Sequence, residues 1–140
     1  MKICLIIWVL VCALSCVNAR DAASTTDQEK IQGAWLGQTE SLNGIQKNVS
    51  FLYVFQGDTV SFTDESGKEL KYSFKLDTTG NPRLLIIRSK DTLTNPTPVS
   101  VGYKLNRDSL KIVVAPHGLR PTEISDKNDQ ELIICTRKGS

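Results

Sequence analysis

Leu70, Tyr72, Phe74 and Leu76 alternate with Lys71, Ser73 and Lys75. A period of two puts the apolar set on one face of a strand and the polar set on the other. Val99, Val101, Tyr103 and Leu105 repeat the pattern, and so do Leu110, Ile112 and Val114. Leu84–Ile87 is apolar at every position, which predicts a strand covered on both faces. Ala34–Ser41, Val49–Gln56, Thr59–Thr63 and Glu131–Arg137 complete a set of eight strand runs. Asn43-Gly44, Gly57-Asp58, Ser66-Gly67 and Asn106-Arg107-Asp108 punctuate them as tight turns. Connections of that length make sequence neighbours antiparallel neighbours in space. Eight such strands close into a barrel or split into a sandwich. Trp35 on the first run and Arg137 on the last favour closure, because at the seam of a barrel a guanidinium can lie over the indole face.

The segments outside this ladder are few. Thr26 and Glu29 form a capping box for a short helix that begins at Asp27. Gly33 is read as its stop, by a left-handed C-terminal cap. Asp77–Pro82 is a loop, and Ser89–Pro98 is a longer one bearing prolines. Ala115–Asp129 is the longest connection and contains Pro116, Gly118 and Pro121.

Ahead of the helix stands a leader. Lys2 precedes an apolar stretch from Ile3 to Leu14, and Val17-Asn18-Ala19 supplies small residues for cleavage before Arg20. The expected organisation is a signal peptide at 1–19, a flexible tether at 20–26 and one β-barrel domain at 27–138. The apolar stretch is short for a bilayer span, so no transmembrane segment is expected in the mature chain. Ala13-Leu14-Ser15-Cys16 gives an alternative, a lipobox-like site with a lipid anchor on Cys16. The expected location is therefore exported, periplasmic or secreted.

Of the four cysteines, Cys4, Cys12 and Cys16 fall in the leader, leaving Cys135. A single thiol makes no internal disulfide, so the fold must rest on its core, with Cys135 read as a small buried hydrophobe. The 17 basic and 15 acidic residues are interleaved, with no basic stripe for nucleic acid. His117, the one histidine, sits in a loop. Zinc needs three or four ligands at defined spacing, so neither a metal nor another cofactor is expected. Asp64-Glu65 reads as a solvated turn rather than a catalytic pair, and no nucleophile elbow or phosphate loop is present. Asn48-Val49-Ser50 matches a glycosylation sequon, relevant only in a eukaryotic secretory pathway. The chain is not expected to be an enzyme.

Gly33-x-Trp35 after a short helix, with Arg137 on the last strand, resembles the calycin pattern of lipocalins and fatty-acid-binding proteins. Ile31-Gln32-Gly33-x-Trp35, Phe55-x-Gly57-Asp58 and Phe74-Lys75-Leu76-Asp77 are similar to lipocalin-like domains of uncharacterised function abundant in planctomycete bacteria. Tyr103-x-Leu105, Asp108-x-Leu110-Lys111-Ile112 and Arg120-Pro121-Thr122-Glu123 extend that similarity. It covers roughly 27–138. Arg107, Ile124 and the late glycine of Val101-Gly102 depart from the pattern. The resemblance implies an all-β, eight-stranded antiparallel up-and-down barrel behind a short N-terminal helix. It brings no catalytic residues with it.

Two functions fit this reading. One is a carrier of a small apolar molecule, lined by Phe62, Tyr72, Phe74, Leu85, Val101, Tyr103 and Ile112. The other is a filled-core extracytoplasmic interaction module acting through its loops. Gly33, Trp35 and Arg137 form the expected structural seam in both. Arg120, Pro121, Thr122 and Glu123 are either a rim motif that meets a ligand or a set of ties that order their own loop. The leader yields the first test. N-terminal sequencing of exported protein is expected to begin at Arg20, and a diacylglyceryl-modified Cys16 at the N-terminus would overturn that cleavage site.

Overall fold

The structure is a computed structural model and describes residues 26–90 and 97–139. The leader, the tether as far as residue 25 and most of the Ser89–Pro98 connection lie outside the described residues. One helix, α1 (Asp27–Lys30), precedes nine strands: β1 (Gly33–Leu42), β2 (Ile45–Asn48), β3 (Leu52–Gln56), β4 (Thr59–Thr63), β5 (Glu69–Asp77), β6 (Arg83–Ser89), β7 (Val99–Leu105), β8 (Ser109–Val114) and β9 (Glu131–Arg137). Each strand pairs antiparallel with the next from β3 to β9, and β9 returns to pair with β1. The sheet is a closed up-and-down barrel of eight staves, because β2 and β3 are two halves of one stave along β1.

The broken stave corrects the expected second strand, Val49–Gln56. Pairing with β1 starts earlier, at Ile45, lapses over residues 49–51 and resumes at Leu52. The cause lies on β1, where the ladder to β9 shifts register between Gly37 and Thr39. Gly37 N–H still donates to the Phe51 carbonyl at 2.8 Å, and Val49 N–H to the Gln38 carbonyl at 3.1 Å. Phe51 lays its ring directly on Gly37, so a Cβ there would lie 2.6 Å from the ring. Only glycine admits that approach.

The seam joins β1 to β9 and to α1. Thr26 caps the helix with the reciprocal Glu29 bond expected of its sequence. The helix ends at Ile31 in ordinary right-handed geometry, so Gly33 is not its left-handed cap. Gly33 instead opens β1 at φ 106°, where a side chain would press on the Arg137 guanidinium 3.3 Å away. Trp35 is fully buried, and its Nε1 donates to the Ile31 carbonyl at 2.8 Å. Arg137 Cζ sits 4.1 Å from the indole centroid. The same guanidinium donates to the carbonyls of Lys30 (2.7 Å), Gln32 (2.9 Å) and Arg107 (3.1 Å). The bond to Lys30 satisfies a carbonyl that a four-residue helix leaves open at its C-terminal end, and the bond to Arg107 ties the turn between β7 and β8 to the seam.

A second apolar layer lies outside the barrel. Leu84, Gly102 and Val113 are cross-strand neighbours on the outer face of β6, β7 and β8. The long connection after β8 folds back over them: a Cβ on Gly102 would touch Ile124 at 3.3 Å and Pro121 at 3.4 Å. Leu84 and Val113 are consequently as buried as the interior, which is why the β6 run reads apolar on both faces.

The seam geometry sets the expected energetics. Trp35→Ala should cost about 3–5 kcal/mol, as loss of a large buried side chain does. Arg137→Leu should cost about 1–3 kcal/mol through the carbonyls it leaves open. Urea melts of both and of the double variant should reveal a coupling of roughly 0.5–2 kcal/mol for the cation–π contact. Strict additivity would mean that the two side chains do not act together.

Candidate ligand cavity

The barrel has unlike ends. At the end bearing α1, the interior is filled by Ile31, Trp35, Phe55, Phe74, Tyr103 and Leu110, all buried. Asp27 fastens this end: its Oδ2 accepts from the Tyr103 hydroxyl at 2.7 Å and from Arg83 at 2.6 Å. Burial works against its charge, but these two hydrogen bonds hold the Asp27 carboxyl below its ordinary pKa.

Towards the other end the interior opens into a cavity of about 310 Å³. β3 contributes Tyr53 and Phe55, β4 Val60 and Phe62, and β5 Tyr72. Leu85 and Ile87 come from β6, Val99 and Val101 from β7, Ile112 and Val114 from β8. The wall is apolar apart from two tyrosine hydroxyls. Phe62 and Tyr53 pack their rings at 5.2 Å, with Phe51 against both.

Of the seven residues expected to line a ligand space, the structure brings Phe62, Tyr72, Leu85, Val101 and Ile112 together around this cavity. Phe74 and Tyr103 point inward but lie elsewhere. Phe74 packs edge-on against Phe55 at 5.2 Å in the filled layer, and the Tyr103 hydroxyl is bound to Asp27. Alternation locates the inner face of a strand but not the depth of each residue along the barrel axis. Tyr53, Phe55, Val60, Ile87, Val99 and Val114 were missed. Val60, Ile87, Val99 and Val114 share the parity of Phe62, Leu85, Val101 and Ile112, so alternation offered them, whereas Leu52–Phe55 is apolar on both parities and gives no such signal for Tyr53 and Phe55.

The flank formed by β1 and β9 is acidic. Glu131 faces Val114 across the β8–β9 ladder, in the same parity as buried Ile133 and Cys135. Glu40 faces Ile133 across the β9–β1 ladder. Lys47, opposite Glu40 on β2, pairs with it at 2.7 Å. The Glu40 carboxyl beside it, with partial burial, pushes the Glu131 carboxyl up from 4.5 to about 7, while Glu131 and Lys47 hold Glu40 below its ordinary value. The inward parity of Glu131 with Ile133 and Cys135 was a signal available in the sequence.

Arg120, Pro121, Thr122 and Glu123 are remote from the cavity. Pro121 is buried on Gly102. Thr122 N–H donates to Gln130 Oε1 at 3.1 Å, and Glu123 accepts from Asn128 at 3.3 Å. Gln130, the buried polar residue of the loop, also donates to the carbonyls of Glu123 and Ser125. The exposed Arg120–Asp77 pair at 3.8 Å contributes little. Cys135 is fully buried, and burial pushes its thiol up to about 12, so it stays protonated and unreactive at neutral pH. His117 is exposed at φ 56° in a single 3-10 turn, Pro116–Gly118. Among the described residues no three His, Cys, Asp or Glu side chains are placed to hold a metal. None of the described helices is long and apolar enough to cross a membrane.

No family model and no curated protein matches the chain. Among solved structures, a lipocalin-like protein from Bacteroides uniformis ATCC 8492 is similar at 16% identity and a TM-score of 0.48. The match covers 77% of this chain and 98% of that one.

The carboxyl pair makes stability depend on pH. Glu131 holds its proton more tightly folded than unfolded, so its contribution is complete below about pH 4.5 and is lost as pH rises through about 7. Urea melts between about pH 5 and about pH 8 should show stability falling with pH in the wild type. In Glu131→Gln that fall should be absent. An unchanged slope in the variant would show that Glu131 is not the group that titrates.

Proposed function

We propose that this protein is an exported barrel that carries a small apolar molecule in the cavity between β3 and β8. One observation supports this above all: the interior is packed at one end and leaves about 310 Å³ of apolar-walled space at the other. That volume is roughly twice that of an engineered cavity that admits benzene, and lies at the small end of the range for ligand sites. It suits a fused-ring aromatic or a short acyl chain. The filled-core alternative has less support, because the large side chains expected to occupy the space stand around it or beneath it. Export rests on the leader read from residues 1–19, and kinship with the planctomycete lipocalin-like group rests on the motifs quoted above.

Titration of a fluorescent apolar probe tests the carrier reading. Saturable binding at micromolar levels is expected. Val101→Phe, which intrudes into the cavity, should abolish it at a stability cost of about 1–3 kcal/mol. Phe74→Ala acts in the filled layer and should instead cost about 3–5 kcal/mol. A wild type that binds no apolar probe would reject the carrier in favour of the interaction module.

A further inference from the structure

Resting on the carrier reading, we propose that the molecule held here is a flat, uncharged ring compound with a carbonyl-type oxygen at its edge, laid on the aromatic wall of the cavity and hydrogen-bonded by Tyr53. The cavity is two-sided. From β3, β4 and β5 come the rings of Tyr53, Phe55, Phe62 and Tyr72, with Val60 among them. All six lining side chains from β6, β7 and β8 are aliphatic. In a closed barrel of eight staves each strand faces the one four places on, so β3 stands across from β7 and β4 from β8. Tyr53 and Phe62 are cross-strand partners with rings 5.2 Å apart. Across the space from them stand Val99, Val101, Ile112 and Val114.

These two walls select a shape. A barrel of eight strands leaves room for one small ligand at most. Valine and isoleucine are stiff about χ1, so the aliphatic wall yields little. A planar ring turns one face to the rings of β3 and β4 and the other to the methyl groups of β7 and β8. Ring–ring contact adds to what burial alone contributes. An alkyl chain gains the burial without that contact, and it loses rotamer freedom on entering. The wall also selects one polar group. No lining side chain is charged, so an ionised head group would lie there without a partner. Tyr103, in the filled layer, donates its hydroxyl proton to Asp27. None of the described residues takes the Tyr53 hydroxyl in this way. Burial holds that phenol above its ordinary range, so it keeps its proton and is a donor at neutral pH. A carbonyl oxygen at the edge of the ring accepts the bond in apolar surroundings, where it counts for more than in water. Tyr72 pairs with Ser89, the last residue of β6, and so stands at the rim, where solvent reaches its hydroxyl.

Displacement of a fluorescent apolar probe by acetylnaphthalene, ethylnaphthalene, dodecanone and naphthoate tests both selections, since the first three have equal carbon counts. Acetylnaphthalene is expected to bind about fivefold more tightly than ethylnaphthalene, which lacks the oxygen. It is expected to bind about tenfold more tightly than dodecanone, which has the oxygen but no ring. Naphthoate should be weakest. Tyr53→Phe should erase the preference for the ketone over ethylnaphthalene and leave ethylnaphthalene affinity unchanged, while Tyr72→Phe should leave that preference in place. Phe62→Leu should bring acetylnaphthalene down towards dodecanone. Dodecanone or ethylnaphthalene binding as tightly as acetylnaphthalene would overturn the assignment and leave the carrier reading intact. A ketone preference that survives Tyr53→Phe, or a preference for naphthoate, would do the same. A bound probe that none of the four displaces would also overturn the assignment alone, whereas a probe that does not bind would take the carrier reading with it.

Discussion

The contact of Arg137 with Trp35 is the constraint on which the barrel depends. A sheet closes only if its first and last strands meet, and here those strands carry the indole and the guanidinium. The indole fills the axis at one end and gives its N–H to the Ile31 carbonyl. The guanidinium covers the ring and takes up the carbonyls of Lys30, Gln32 and Arg107. A helix of four residues is too short to be stable alone. It persists because its open carbonyls are bound by side chains of the seam and because Asp27 is held by Tyr103 and Arg83.

Filling one end leaves the other with the remaining volume. The large side chains nearest α1 pack on one another, so the strands beyond them enclose space rather than contacts. The register shift at Gly37 turns the rest of β1 so that Glu40 faces the interior. The inward parity of Glu40 and Glu131 follows from that one irregularity together with the parity of β9.

The outer layer is a separate solution to a separate problem. Leu84 and Val113 would be exposed apolar surface on a bare barrel. Gly102 between them lets Pro121 and Ile124 come down onto the sheet. Gln130 then satisfies the loop's own backbone, so the long connection stays ordered without secondary structure of its own. Pro121 and Thr122 of the Arg-Pro-Thr-Glu segment are part of this cover.

What the sequence determined by itself was the ladder. Alternation at Leu70–Leu76 and Val99–Leu105 sets strand identity and inner face, because the side-chain period of a strand is fixed by its backbone. The turn dipeptides set antiparallel order, and Thr26 with Glu29 set the helix start. Trp35 and Arg137 pointed to closure because a barrel seam is the place where those two ends of the chain meet. Tertiary structure alone decided depth, irregularity and cover. Phe74 and Tyr103 have the same parity as Tyr72 and Val101, yet fall in the filled layer, since stagger between strands sets the height of each residue in the barrel. The break of the second stave arises from Phe51 lying on Gly37, a contact between separate strands that no local pattern encodes. The proximity of Glu40 to Glu131 joins residues far apart in sequence, and it exists only once β1 and β9 stand side by side.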